Sequence, residues 1–112
     1  MIKTFEFTYD ELDAEAIFKV DTEKFTAEIA ELILESYIWD YNPFDDPIDQ
    51  AMRKFAMIAI ELCTRYNDNL WGVKKRFDKE DFFLPVDGSA GIELIKIKKY
   101  EFQEEKLEVY IS

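Results

Sequence analysis

The stretch from Asp46 to Tyr66, DPIDQAMRKFAMIAIELCTRY, constrains the fold more than any other part of the chain. Asp46 supplies a side-chain oxygen for the free backbone donors of a helix start. Pro47 suits the first helical position, where no donor is missed. Ile48, Met52, Phe55, Ala56, Ala59, Leu62, Cys63 and Tyr66 recur at the three-and-four spacing of one helical face. Ile58 and Ile60 flank that stripe and widen it. Gln50, Arg53, Lys54, Glu61, Thr64 and Arg65 lie opposite, with Met57 as the one apolar intruder. A helix apolar around more than half its circumference needs more than one neighbour to cover it.

Two alternating segments precede it. Phe5, Phe7 and Tyr9 share one side of residues 2–9, and Ala16, Phe18 and Val20 share one side of residues 14–20. The polar Asp10-Glu11-Leu12-Asp13 between them predicts a β-hairpin with one half-buried face. Asp21 or Thr22 then offers an N-cap for a first helix running to about Ile38 or Trp39. One of its stripes holds Phe25, Ile29, Leu32, Ile33 and Ser36, and a second holds Ala27, Ala30, Leu34 and Ile38. Glu28, Glu31 and Glu35 line up beside them. Tyr41-Asn42-Pro43 breaks this helix, because proline biases its predecessor away from helical angles.

After the central helix, Leu70 to Phe77 has room for a short helix or turn. Residues 92–102 read as extended but change phase between Leu94 and Ile95, which predicts a bulge or bend. Leu107, Val109 and Ile111 alternate cleanly beyond a turn at Gln103 to Lys106. The element order ββ–αα–ββ predicts a single α+β domain over residues 1–112. Its expected architecture is a two-layer sandwich, a mostly antiparallel four-stranded sheet with two main helices on one face.

The chain of 112 residues can bury roughly two-thirds of its unfolded surface. Its 48% apolar content suits a folded domain rather than a disordered acidic tail. A single cysteine fits a reducing compartment, and the beginning lacks a signal-like apolar core, so a cytoplasmic protein without a membrane span is expected. The net charge of −11 is lopsided. Residues 1–50 carry three lysines against fourteen acidic residues, whereas residues 51–112 carry eleven of each sign. Such a first half disfavours direct contact with nucleic-acid phosphates or anionic lipid.

With no histidine, Ser/His/Asp and Cys/His catalysis are excluded, along with the commonest metal ligand at neutral pH. Cys63 falls on the apolar stripe and reads as a packed thiol. Gly88-Ser89-Ala90-Gly91 has neither nucleophile-elbow nor phosphate-loop spacing, and reads as an ordinary turn. No catalytic residue, cofactor or specific metal site is indicated. Asp40, Asp45, Asp46 and Asp49 are hard oxygen donors, so a carboxylate-based metal-binding protein or enzyme using the Asp40–Asp49 loop is the alternative, though their spacing matches no calcium loop. Trp39, Tyr41 and Phe44 flank that loop. Aromatics ringed by charge suit an interface, while closure of a core end is the plainer reading. Lys74, Lys75, Arg76, Lys96, Lys98 and Lys99 make a weak basic signal, better explained by pairing with acidic residues.

Val20-Asp21 leading into Phe25-Thr26-Ala27-Glu28-Ile29-Ala30-Glu31 resembles the strand-to-helix passage of an uncharacterised domain-of-unknown-function family. Its members are small acidic proteins of bacteriophages and bacterial mobile elements. The similarity continues through Arg53, Phe55-Ala56, Ala59-Ile60, Pro85, Gly88, Gly91-Ile92 and Leu107-Glu108-Val109. The chain departs from it in the Asn67 to Arg76 loop, which is shorter. The resemblance implies a phage or mobile-element setting and no catalytic residues.

Together these observations point to a non-enzymatic binding or accessory protein. Its acidic first half is expected to engage a basic protein surface through Glu28, Glu31, Glu35, Trp39, Asp40, Tyr41, Phe44 and Asp45. Mimicry of nucleic-acid charge is one form of this. Two plainer readings stand beside it: acidity that serves only solubility, and a homodimer with Leu34 and Ile38 at a symmetric interface.

Overall fold

The hairpin forms where the alternation places it, with β1 at Ile2–Tyr9 and β2 at Ala14–Asp21 in antiparallel register from Ile2–Asp21 to Tyr9–Ala14. A computed structural model describes residues 1–11, 13–36, 40–79, 84–102 and 104–111, and for Lys106 the backbone alone. Asp10 and Glu11 both take φ +54, the left-handed twist that a tight hairpin connection needs. β2 is the middle strand. Ala14, Ala16, Phe18 and Val20 are fully buried on its inner side, as period-two alternation requires.

β3, Ile92–Lys98, pairs antiparallel with β2 on its other side, giving the order β1-β2-β3. The bulge is present. Phe18 faces Leu94 and Ile17 faces Lys96, so Ile95 is the extra residue. The slip restores phase: Ile92, Leu94 and Ile97 now oppose Val20, Phe18 and Ala16, and Ile97 joins the core side.

Among the described residues the sheet has three strands, not the expected four, and Leu107 to Ile111 joins no strand, following a short 3-10 turn at Glu104–Lys106. A strand returning as a hairpin on β3 would use the outer edge of β3, and half of that edge is taken. Leu94 N–H donates to Val86 O at 2.9 Å and Gly88 N–H to Ile92 O at 2.8 Å, with a bridge between Asp87 and Glu93. Alternation encodes which face a strand shows; it does not guarantee an edge to pair with.

The helices number three among the described residues, not two: α1 at Ala27–Ser36, α2 at Pro47–Tyr66 and α3 at Leu70–Phe77. α1 begins later than expected. Asp21 O accepts from Lys24 and Phe25 N–H, while Thr22 N–H and Oγ1 bond Met1 O, so these residues close a turn. Thr26 Oγ1 caps the helix instead, accepting from Ile29 N–H at 3.3 Å. The expected end at Ile38 or Trp39 lies outside the described residues.

α2 matches expectation. Asp46 Oδ1 accepts from Ile48 N–H at 2.9 Å, and the helix stops at Asn67 in the left-handed conformation. Ala51, Met52, Phe55, Ala56, Ala59, Ile60, Leu62 and Cys63 are buried, though Tyr66, expected on the stripe, is largely exposed. α2 touches all three strands and both other helices, whereas α1 packs on α2 and its backbone stays clear of the sheet. Hence the width of the apolar arc: one side faces the sheet and another faces α1. Phe55 sits at the junction, its ring edge-on to Phe25 at 6.1 Å and stacked on Phe77 at 5.9 Å. Among the described residues no helix is long and apolar enough to cross a membrane.

Candidate interaction surface

α1 sorts its residues by the 3.6 period. Ala30, Ile33 and Leu34 are buried against α2, and Glu28, Glu31 and Glu35 face solvent. Leu32, expected on a buried stripe, is 63% exposed. It lies four residues after Glu28 and three before Glu35, which is the spacing of one helical face. That spacing was the signal for an apolar side chain set among the glutamates. Among the described residues no lysine or arginine pairs with Glu28, Glu31 or Glu35. Their charge is left to solvent or a partner.

The loop after α1 is brought to this face and tied down. Tyr41 donates its hydroxyl to Glu35 Oε1 at 3.1 Å, while its ring packs against the core. Partial desolvation, the Glu35 hydrogen bond and the charges of Glu35 and Glu31 all push the Tyr41 phenol above its usual range. Asn42 and Gln50 bond reciprocally at 2.8 Å, N–H to Oε1 and Nε2 to O. Asn42 Oδ1 accepts from Phe44 N–H at 3.0 Å, and Asn42 Nδ2 donates to Asp45 Oδ2 at 3.1 Å. This network anchors the turn to α2 and holds Phe44 outward, 93% exposed. Core closure is thus wrong for Phe44 and right for the ring of Tyr41. Asp40 and Asp45 are exposed, and Trp39 lies outside the described residues.

The alternatives fare unevenly. Asp45 is engaged by Asn42 and Asp46 by the helix cap, and among the described residues no three His, Cys, Asp or Glu side chains group as metal ligands. Leu34 is fully buried beneath α1, so it cannot line a symmetric interface between copies; Ile38 lies outside the described residues. The basic residues are dispersed. Arg76 stacks over Tyr66 and pairs with Asp68, Lys75 stands over Trp71, and Lys96 reaches Glu15 at 3.2 Å across the sheet. Ser89 bonds Asp87 Oδ1 through N–H at 2.9 Å and through its hydroxyl at 2.6 Å, turn chemistry that lowers the Asp87 carboxyl below its usual range. Cys63 is buried and donates its thiol to Asp68 O at 3.2 Å.

No family model, curated protein or solved structure matches the chain. The resemblance to small acidic phage proteins rests on its short motifs alone and supplies no functional residue.

Proposed function

We propose that this chain is a non-enzymatic binding protein that engages a basic protein surface through the solvent face of α1 and the turn at residues 40–45. One observation carries the reading: Glu28, Glu31 and Glu35, with no lysine or arginine against them among the described residues, lie around an exposed Leu32, and beyond them a hydrogen-bonded turn displays Phe44. Apolar anchors within a charged ring supply affinity, while the charges supply orientation and on-rate. A turn already tied to α2 loses little entropy when it docks. Asp40, Tyr41 and Asp45 complete the contact, and Trp39 belongs to the same stretch of sequence. A phage or mobile-element setting, suggested by the short motifs, suits a small accessory protein of this kind.

The test is a titration of isotope-labelled protein with a lysine-rich peptide carrying one aromatic residue, followed by amide chemical shifts. Saturable changes confined to residues 28–35 and 40–45, weakened by salt, are expected. Changes spread evenly over every acidic residue would show that the acidity serves solubility alone.

A further inference from the structure

A second surface shares no residue with the acidic face. β1 is an edge strand, with no strand beyond it among the described residues. Thr22 N–H bonds Met1 O, and in the phase this sets, Ile2, Thr4, Glu6 and Thr8 turn their backbone groups away from β2. Phe5 and Phe7 point to the core side yet are only half-buried among the described residues. Where β1 ends, a groove of about 800 Å3 opens between Tyr9, Met57, Ile60, Tyr100 and Phe102. Tyr100 fixes its wall: the hydroxyl donates to Asp10 Oδ2 at 2.7 Å, the backbone N–H donates to Thr64 Oγ1 at 2.9 Å, and the ring packs edge-on against Tyr9.

The same chain carries the complementary shape. Phe102, Leu107, Val109, Tyr110 and Ile111 are 77% to 91% exposed, and Leu107, Val109 and Ile111 alternate as one strand face. The molecule measures 53 × 32 × 25 Å with a radius of gyration of 15.3 Å, against about 13 Å for a compact chain of this length. With those side chains exposed, the segment covers little of its own body, and its own groove stays open.

We infer that residues 107–111 of one copy dock on a second copy, running along the free edge of β1 and seating their apolar side chains toward the groove. The exchange is reciprocal, and each chain's own sheet keeps three strands. Apart from Leu107 N–H, which donates to Glu104 O, the segment makes no backbone hydrogen bond among the described residues, and such a segment and an edge with outward donors and acceptors satisfy each other. Both halves sit on one sequence, so a two-fold arrangement fills both sites at once. The apolar character matters, because two chains of net charge −11 repel each other, and in the groove Glu61 is paired with Arg65 and Asp10 is held by Tyr100, leaving the apolar side chains to make the contact. Leu107, Val109, Tyr110 and Ile111 of each copy, with the surface they cover, bury on the order of 2,000 Å2, enough for a stable dimer.

Sedimentation velocity tests this on the full chain. A dimer is expected, with Leu107→Asp/Ile111→Asp and Met57→Glu each giving monomers of unchanged circular dichroism. Mixing the two variants restores a weaker association, because one intact segment meets one intact groove while the reciprocal site stays broken. A monomeric wild type at high concentration, or a dimer that survives both variants, would overturn the inference. Neither outcome bears on the α1 face, which is read separately.

Discussion

Truncating Phe55 to alanine removes the ring on which the helical layer converges. Phe55 is fully buried, edge-on to Phe25 from the segment before α1 and stacked on Phe77 from α3. Burying the ring and leaving a cavity account for about 3–5 kcal/mol, and two aromatic neighbours put this site at the upper end. We expect a loss of about 4–5 kcal/mol. A domain of this size holds roughly 5–15 kcal/mol in all, so the variant folds marginally, and its thermal midpoint falls by roughly 15–30 °C. Urea unfolding followed by circular dichroism measures the loss, with Phe44→Ala as the matched control. Phe44 is exposed, so its truncation should change stability by less than about 0.5 kcal/mol. Equal losses for the two variants, or a loss below about 1.5 kcal/mol for Phe55→Ala, would refute the placement of α2 between α1, α3 and the sheet.

Three further outcomes follow from single sites. Gly91 takes φ +90, and an added Cβ would meet Lys24 Cβ at 2.8 Å and Phe25 N at 2.9 Å, so Gly91→Ala should cost roughly 1–3 kcal/mol. Gly88→Ala, with Glu93 Oε2 no nearer than 3.4 Å, should cost less, and the reverse order in chemical denaturation would count against this packing. Asp46→Ala removes the cap of α2 and should cost about 1 kcal/mol by the same assay, with no change in fold. Burial first, and Asp68 second, raise the Cys63 thiol above its ordinary value of 9.0, with Lys99 acting weakly in the other direction. The stability this contributes is full below pH 9.0 and is lost as pH rises through the higher folded value. Cys63→Ala should flatten that alkaline decline, and slow thiol labelling below it should accompany the wild type.

What could be read from the sequence was governed by local chemistry. Asp46-Pro47 announces the start of α2, and its stripe announces the burial of Met52, Phe55, Ala59 and Leu62, because cap and periodicity act within a few residues. The bulge at Ile95 was legible because a phase slip leaves a mark in the alternation itself. What failed was non-local. Leu107 to Ile111 has a strand pattern, but Val86 to Gly88 already occupies half of the edge it would join. Phe25 looked helical because it is apolar and in phase, whereas it is held in a turn and buried by Phe55. At the candidate surface, Glu28, Glu31 and Glu35 were readable from spacing. The display of Phe44 was not, since it depends on Gln50 reaching back to Asn42.

The central claim is that the acidic face of α1 binds while the core behind it carries the fold. Calorimetric titration of the lysine-rich peptide into wild type and into Glu28→Lys/Glu31→Lys/Glu35→Lys, each paired with a urea unfolding curve, tests both halves together. Affinity weakened by roughly an order of magnitude or more is expected, with an unfolding midpoint close to that of the wild type. Undiminished affinity in the reversed variant would contradict the claim.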